Sequence, residues 1–300
     1  MNFFSICDGI SASSVALQPL GFQCVGVSEI NPYCCKLLEQ KYGHRNYGDF
    51  TRWREWGRID ADLVIGGTPC TAFSLMGKRR GLRDPAGLLT PAFVRFVCRH
   101  KPRLVLWENV PSVLSISGGR LFEWMCSRLQ EFGYGVGFRI LDAQYFGVAA
   151  RRRRIFLVGI LGGQSRAAKV LFDTPPKQVL ASQSKGTQKE DSSGIKSGFG
   201  AVQQTRYGNN QKIAGTLISS PGGGIERLGS VVIDGDRPRW LTPLERERLM
   251  GFPDGYTAGF SDTQRHRMVG NSMAGPVIRW IGQRILSVEQ ESTERLRVAG

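Results

Sequence analysis

The chain has 300 residues, 41% of them hydrophobic, which is enough for one large domain with a real core and a smaller second one. Its formal net charge of +15 favours a polyanionic partner, nucleic acid or an acidic membrane surface. No apolar run reaches transmembrane length, and the seven cysteines include no C-x-x-C pair. These features exclude a membrane span and argue against a secretory leader, a disulfide framework or a zinc site, so a reduced, cytoplasmic chain is expected. The only histidines, His44, His100 and His266, are too far apart in sequence to suggest a metal centre.

Residues 2–6 read as a strand buried on both faces. The small-residue turn Cys7-Asp8-Gly9-Ile10-Ser11-Ala12 follows, and residues 11–20 have helical character. Strand, tight loop and helix start make the first unit of a dinucleotide-type α/β fold, although an ordinary βα turn has the same appearance. Residues 23–30 form a second strand that carries Glu29, 20 positions after Gly9, the spacing at which an acidic residue reaches ribose hydroxyls. Asn31-Pro32 starts a helix over 33–42. Asp49, between Gly48 and Phe50, reads equally well as a helix N-cap and as a ligand contact.

Val64 and Ile65 end another buried run, followed by Gly66-Gly67-Thr68-Pro69-Cys70. The glycines permit a tight turn through the φ > 0 region, and Pro69 biases Thr68 towards an extended conformation. Cys70 is thereby delivered just past the carboxyl end of a strand, where ligands bind in open α/β sheets. A small buried hydrophobe before a helix is the plainer alternative. Residues 76–89 are rich in Gly and basic residues and read as a loop able to close over a bound strand. After a helix over 90–100, residues 103–110 repeat the buried-strand pattern and end in Glu108-Asn109. A carboxyl at the tip of a neighbouring strand suits a general acid facing a thiol nucleophile.

An amphipathic helix over 118–132 and strands over 134–147 and 155–160, arranged as a hairpin, come next. Between those strands lies Ala150-Arg151-Arg152-Arg153-Arg154. Alternation puts Arg152 and Arg154 on one face, and one arginine pair must point inward, where an anionic ligand or a carboxylate would offset the cost. Residues 162–235 are dominated by Gly, Ser, Gln and Lys, with partial disorder expected over 182–200 and loops at 207–210 and 220–224. Thr242 is an N-cap candidate with Pro243 at N1 and Glu245 at the capping-box position, and residues 250–254 stop that helix. Gly270-Asn271-Ser272 leads into an apolar helix over 276–286, and the charged tail after Ser287 is expected to fray.

Taken in order, the Gly9 loop, Glu29, Asp49, Pro69-Cys70, Glu108-Asn109-Val110, Arg152/Arg154, Thr242-Pro243-Glu245 and Gly270-Asn271-Ser272 resemble the motifs of the DNA cytosine-5 methyltransferases. The compact size and the wording at Gln144-Tyr145-Phe146-Gly147 and Arg279-Trp280-Ile281-Gly282 are similar to bacterial and bacteriophage members. The resemblance implies a Rossmann-like S-adenosylmethionine-dependent methyltransferase fold with a smaller, irregular target-recognition domain. Residues 1–161 plus 266–300 would form the catalytic and cofactor domain, and 162–265 the target-recognition domain.

The catalytic set carried over is Cys70, Glu108, Arg152 and Arg154. The S-adenosyl-L-methionine set is Cys7, Asp8, Gly9, Ile10, Glu29, Ile30, Asp49, Phe50, Pro69, Leu89, Asn271 and Ser272. Double-stranded DNA is the implied partner, with a flipped-out cytosine as substrate and a monomer working without metal or membrane. A cognate restriction endonuclease is unknown. The chain departs from the pattern at Ser11 and Ala12, where glycines are usual, and at Thr71, Ala149 and Ala150, where glutamine, proline and glutamine are usual. A tRNA cytosine methyltransferase and a silent DNA-binding relative are the alternatives.

Overall fold

A computed structural model describes residues 1–69, 88–172, 202–203, 210–211, 217, 231–234 and 237–299. Cys70, Thr71, the basic loop up to residue 87, the segment 182–200 and the loops at 207–209 and 220–224 lie outside the described residues.

Chain contacts divide the protein into two units, residues 1–141, 153–174 and 272–300 in the first and residues 142–152 and 175–271 in the second. The first is built on a six-stranded sheet. Its strands are β1 (Asn2–Ile6), β2 (Gln23–Ser28), β3 (Leu63–Gly66), β4 (Leu104–Asn109), β5 (Tyr134–Asp142) and β6 (Arg153–Leu161), in the order β2-β1-β3-β4-β6-β5. β2, β1, β3 and β4 are parallel, and β6 runs antiparallel to β4. From β1 the chain first adds β2 on one side and later β3 on the other. The order therefore reverses at β1, the kind of point at which open α/β sheets bind ligands.

Every residue of β3 and β4 is buried, as expected for strands covered on both faces. Phe4, Ile6, Val64, Val105 and Trp107 share a core with Phe93 and Phe96 of α3 (Leu89–His100) and Leu121, Phe122 and Met125 of α4 (Arg120–Glu131). The helices α1 (Ala12–Leu17) and α2 (Pro32–Lys41) follow β1 and β2. Asn31 caps α2 by accepting from Tyr33 and Cys34 N–H groups at 3.0 and 3.3 Å, as its place before Pro32 predicts. α5 (Arg166–Phe172) buries Ala167, Val170 and Leu171 within a stretch whose composition reads as irregular.

The second unit contains a four-stranded sheet of β7 (Val202–Gln203), β8 (Asn210–Gln211), β9 (Val231–Asp234) and β10 (Arg237–Trp240), ordered β10-β9-β7-β8, with antiparallel pairing throughout. Its helices are α6 (Pro243–Met250) and α7 (Asp262–Asn271). Thr242, Pro243 and Glu245 form the expected capping box, and Gly251 ends α6 at φ 77°. α7 was not legible in the sequence, and it makes Asn271 a helix end rather than a helix start.

α8 (Gly275–Ala299) returns to the first unit and packs against α1 and α5. A Cβ at Gly282 would come within 2.6 Å of the Leu17 Cδ2 methyl, so any larger residue would make the Leu17 side chain shift. The expectation of a fraying tail after Ser287 is corrected, because the helix continues to Ala299. Glu289 anchors it, with Arg103 at 2.7 Å and Arg166 at 3.4 Å.

Candidate active site

The carboxyl ends of β1 and β2 meet through one carboxylate. After β1 the backbone passes through the left-handed region at Cys7 (φ 54°), Gly9 (φ 61°) and Ser11 (φ 59°). This turns the Gly9 N–H towards Glu29, which accepts it at 2.7 Å through Oε2. Glu29 Oε1 accepts the N–H groups of Ile30 and Asn31 at 2.9 and 2.7 Å. Burial pushes the Glu29 carboxyl above its ordinary range, and these three hydrogen bonds pull it back only in part. Ile30 is left 69% exposed at the strand tip.

Asp8 sits beneath the same loop. Its Oδ1 accepts from the Ser5 and Ser13 hydroxyls at 2.5 and 2.6 Å, while Oδ2 is buried without a hydrogen-bond partner. Ile10 is wholly buried, Cys7 partly so. Asp49 caps a 3-10 turn (Phe50–Glu55) by accepting the Thr51 N–H at 2.8 Å. Phe50 belongs to the core, where its ring meets Phe96 edge-on at 5.7 Å.

The ends of β3 and β4 make the second junction. Gly66 and Gly67 do not adopt positive φ, which corrects the expectation of a left-handed turn. At Gly66 smallness serves packing instead, while a Cβ at Gly67 would make only ordinary contacts. A Cβ at Gly66 would lie 2.7 Å from the Phe93 ring. One at Gly67 would lie 3.7 Å from both Glu108 Oε2 and the Met273 side chain. Pro69 is half-buried, and Leu89 sits in the first turn of α3.

Beside these glycines, Thr68, Thr90, Trp107 and Asn109 form a buried polar network. Trp107 Nε1 donates to Thr68 Oγ1 at 3.1 Å, and Asn109 Nδ2 lies 3.1 Å from Thr68 O and 3.2 Å from Thr68 Oγ1. Thr68 and Thr90 hydroxyls are 3.0 Å apart. Sequence reading missed this network. Its one signal is that Trp107 and Asn109, two apart in a strand, share a face.

Glu108 points to the other face. It is opposite Phe156 in the antiparallel β4–β6 register, so Arg154, two residues before Phe156, is its diagonal neighbour. Arg154 Nε lies 3.2 Å from Glu108 Oε1, which has no hydrogen bond of its own and is buried.

Arg151 and Arg153 are exposed while Arg152 and Arg154 turn inward, as alternation predicts. Arg152, in the second unit, directs its guanidinium at main-chain carbonyls. Nη1 reaches Gly270 O at 3.3 Å and Leu217 O at 3.5 Å. Its backbone N–H donates to Asp142 Oδ1 at 2.9 Å. Ala150, beside it, is fully buried. Asn271 is exposed at the end of α7, and Ser272, assigned to the first unit, is buried with its hydroxyl on Met273 O at 3.1 Å.

The six described cysteines are all unpaired, and burial raises every one of their thiols. Cys24 is pushed up to about 12 and Cys126 to about 11. None of the six is therefore a ready thiolate. Among the described residues no His, Cys, Asp or Glu cluster is arranged to hold a metal, and no helix is long and apolar enough to cross a membrane.

A family model described as C-5 cytosine-specific DNA methylase matches residues 1–218 and 182–287. The chain is similar to the type II methyltransferase M.BsuFI of Bacillus subtilis, 30% identical over 307 residues, covering 97% of this chain and 75% of the relative. It is also similar to the type II methyltransferase M.HhaI of Haemophilus parahaemolyticus, 28% identical over 311 residues, covering 95% and 94%. Among solved structures, the Dnmt2 methyltransferase of S. pombe superposes with a TM-score of 0.70 over 96% of this chain and 99% of that one. At 17% identity that likeness speaks for the fold alone.

Proposed function

The chain belongs to the C-5 cytosine-specific DNA methylase family and is a DNA cytosine-5 methyltransferase, and from that premise we propose that Cys70 is its covalent nucleophile and Glu108 its acid. The observation that carries the reading is the Glu108 carboxylate. It stands at the tip of β4 against Gly67, with one buried oxygen free of hydrogen bonds and Arg154 as its counter-charge. Cys70 follows Gly67 by three residues in the sequence.

Carbon 5 of cytosine is a poor nucleophile. Addition of the Cys70 thiolate to carbon 6 gives an enamine whose carbon 5 is reactive. Glu108 in its protonated form donates to N3 as the thiolate adds, and takes that proton back when loss of the carbon 5 proton expels the Cys70 thiolate. Proton transfer of this kind contributes roughly 10²–10⁴-fold. Arg154 keeps the Glu108 carboxylate oriented towards the base. Within the second unit, Arg152 is held by its contacts with the Gly270 and Leu217 carbonyls, and its role would be to steady the carbonyl oxygen of the base. The base must leave the duplex stack to reach the thiol, at a cost of a few kcal/mol. The +15 charge supplies attraction for the DNA backbone.

The family and fold imply S-adenosylmethionine. When bound it supplies an electrophilic methyl group. The residues at the β1 and β2 tips fit it. The unpartnered Asp8 Oδ2 suits an ammonium group, Glu29 suits ribose hydroxyls, and exposed Ile30 offers an apolar surface to the adenine. Gly9, Asp49 and Pro69 complete that side of the assignment, with Asn271 and Ser272 near the chain end. Residues 162–265 would choose the target sequence.

The test is covalent trapping. Duplex DNA with 5-fluorocytosine at the target cannot complete the elimination. With S-adenosylmethionine the protein should be trapped, and Cys70→Ala should not. Equal trapping of both proteins would overturn the nucleophile assignment.

A further inference from the structure

We propose that the Thr68 hydroxyl is a positioning residue for catalysis, holding the chain that leads into Pro69-Cys70 in register with Glu108. The inference rests on the assignment of Cys70 as nucleophile.

Pro69 has no N–H and cannot anchor itself, and it restricts the residue before it to extended backbone. The backbone path at Pro69 therefore depends on how Thr68 is held. Thr68 is held from two elements. From β4, Trp107 Nε1 and Asn109 Nδ2 both reach its hydroxyl oxygen, and Asn109 Nδ2 also reaches its carbonyl. From α3, Thr90 Oγ1 stands 3.0 Å away.

A hydroxyl has one proton and two acceptor sites. With Trp107 and Asn109 filling the acceptor sites, the Thr68 proton can go only to Thr90. The direction of every bond is thus determined, and all four residues are buried. The network also carries a geometric consequence. Asn109 is the neighbour of Glu108 on β4, so its bonds to Thr68 tie the acid's strand to the residues that precede Cys70 in the chain. A misplacement of reacting groups by about 1 Å costs on the order of 10²-fold in rate.

Thr68→Val keeps the branched shape and removes the hydroxyl, while Thr68→Ser keeps the hydroxyl. We expect Thr68→Val to slow single-turnover methylation and adduct formation with 5-fluorocytosine DNA by about 10- to 100-fold. Affinities for S-adenosylmethionine and DNA should stay within about twofold, and Thr68→Ser should restore the rate. A merely structural role would lower the melting temperature without this selective loss of rate. Should Thr68→Val not fold, Thr90→Val, which removes only the acceptor of the Thr68 proton, takes its place with the same expected pattern. Unchanged rates, or a loss confined to binding, would overturn the inference. Cys70→Ala in the same assay separates the two ideas. If it still methylates, the nucleophile assignment falls. If it is inactive while Thr68→Val runs at full speed, only the positioning role falls.

Discussion

Two carboxylates stand at the carboxyl edge of one sheet and are treated in opposite ways. Glu29, past β2, accepts three backbone N–H groups from two loops and keeps one acceptor site on Oε2. Glu108, at the end of β4, has a buried oxygen with no hydrogen bond and, among the described residues, Arg154 as its cation at 3.2 Å. A carboxyl committed to main-chain donors is a clamp, because removing it releases the backbone of two loops. A carboxyl with an oxygen left open can engage a ligand. The cofactor half thus puts its carboxyl to holding the backbone, and the catalytic half leaves its carboxyl available and puts the clamping duty on neutral groups, Asn109 and Thr68.

The sharpest break of this contrast is Glu108→Gln. It keeps shape and hydrogen-bonding capacity but cannot deliver a proton in the same way. Single-turnover methylation should fall by about 10²–10⁴-fold while calorimetry shows cofactor affinity unchanged. Activity within tenfold of the wild type would mean that the open carboxylate has no proton to give.

Glu29→Ala should act on the other half. It strips Gly9, Ile30 and Asn31 N–H groups of their acceptor. Hydrogen bonds to a charged group are worth about 1.5–3 kcal/mol, so S-adenosylmethionine affinity should fall roughly 10- to 100-fold, with DNA affinity nearly intact. The pH dependence has a definite sign. The folded-state value is raised above 4.5 by burial, so the folded protein holds the extra proton between the two values. This group's stability contribution is therefore complete below 4.5 and is lost as pH rises through the folded value. Denaturation midpoints of Glu29→Gln should lack that decline.

How much of this was legible beforehand depends on the range of the interaction. Asn31, Thr242 and Glu245 act on backbone within three residues, and their caps were readable from spacing alone. Glu29 was found by its distance from Gly9, and the inward turn of Arg152 and Arg154 by alternation. Gly66 and Gly67 were identified for the wrong reason. The constraint on Gly66 comes from Phe93, distant in sequence, and neither glycine is required by its own φ. α7 escaped because its polar sequence buries only Met268, Val269 and Gly270. α5 escaped because it is only seven residues long and borders a polar region. The Arg154–Glu108 pair required the register of β6 on β4, and the Thr68 network required three segments meeting in space.

The smallest expected effect concerns Ser11, which stands where the family usually has glycine. Its φ of 59° is costly for a residue with a Cβ, by roughly 1–2 kcal/mol. Ser11→Gly would relieve that strain. Two terms oppose the gain. Glycine in the unfolded chain has more freedom to lose, about 0.5–1 kcal/mol. The substitution also removes a buried hydrogen bond from Ser11 Oγ to Ser14 Oγ at 2.8 Å, worth about 0.5–1.5 kcal/mol. Ser14 in turn lies 3.1 Å from His44 Nε2, so the lost bond ends a short chain of polar contacts. The terms nearly cancel, and denaturation should place the variant within about 1 kcal/mol of wild type. The Ser11 side chain is buried and bonded inward, so it does not stand between the loop and a ligand. Cofactor affinity measured by calorimetry should accordingly change by less than about twofold. A tenfold gain would show that the serine obstructs the cofactor, and that this loop, unlike the Glu29 clamp beside it, is not yet in its binding form.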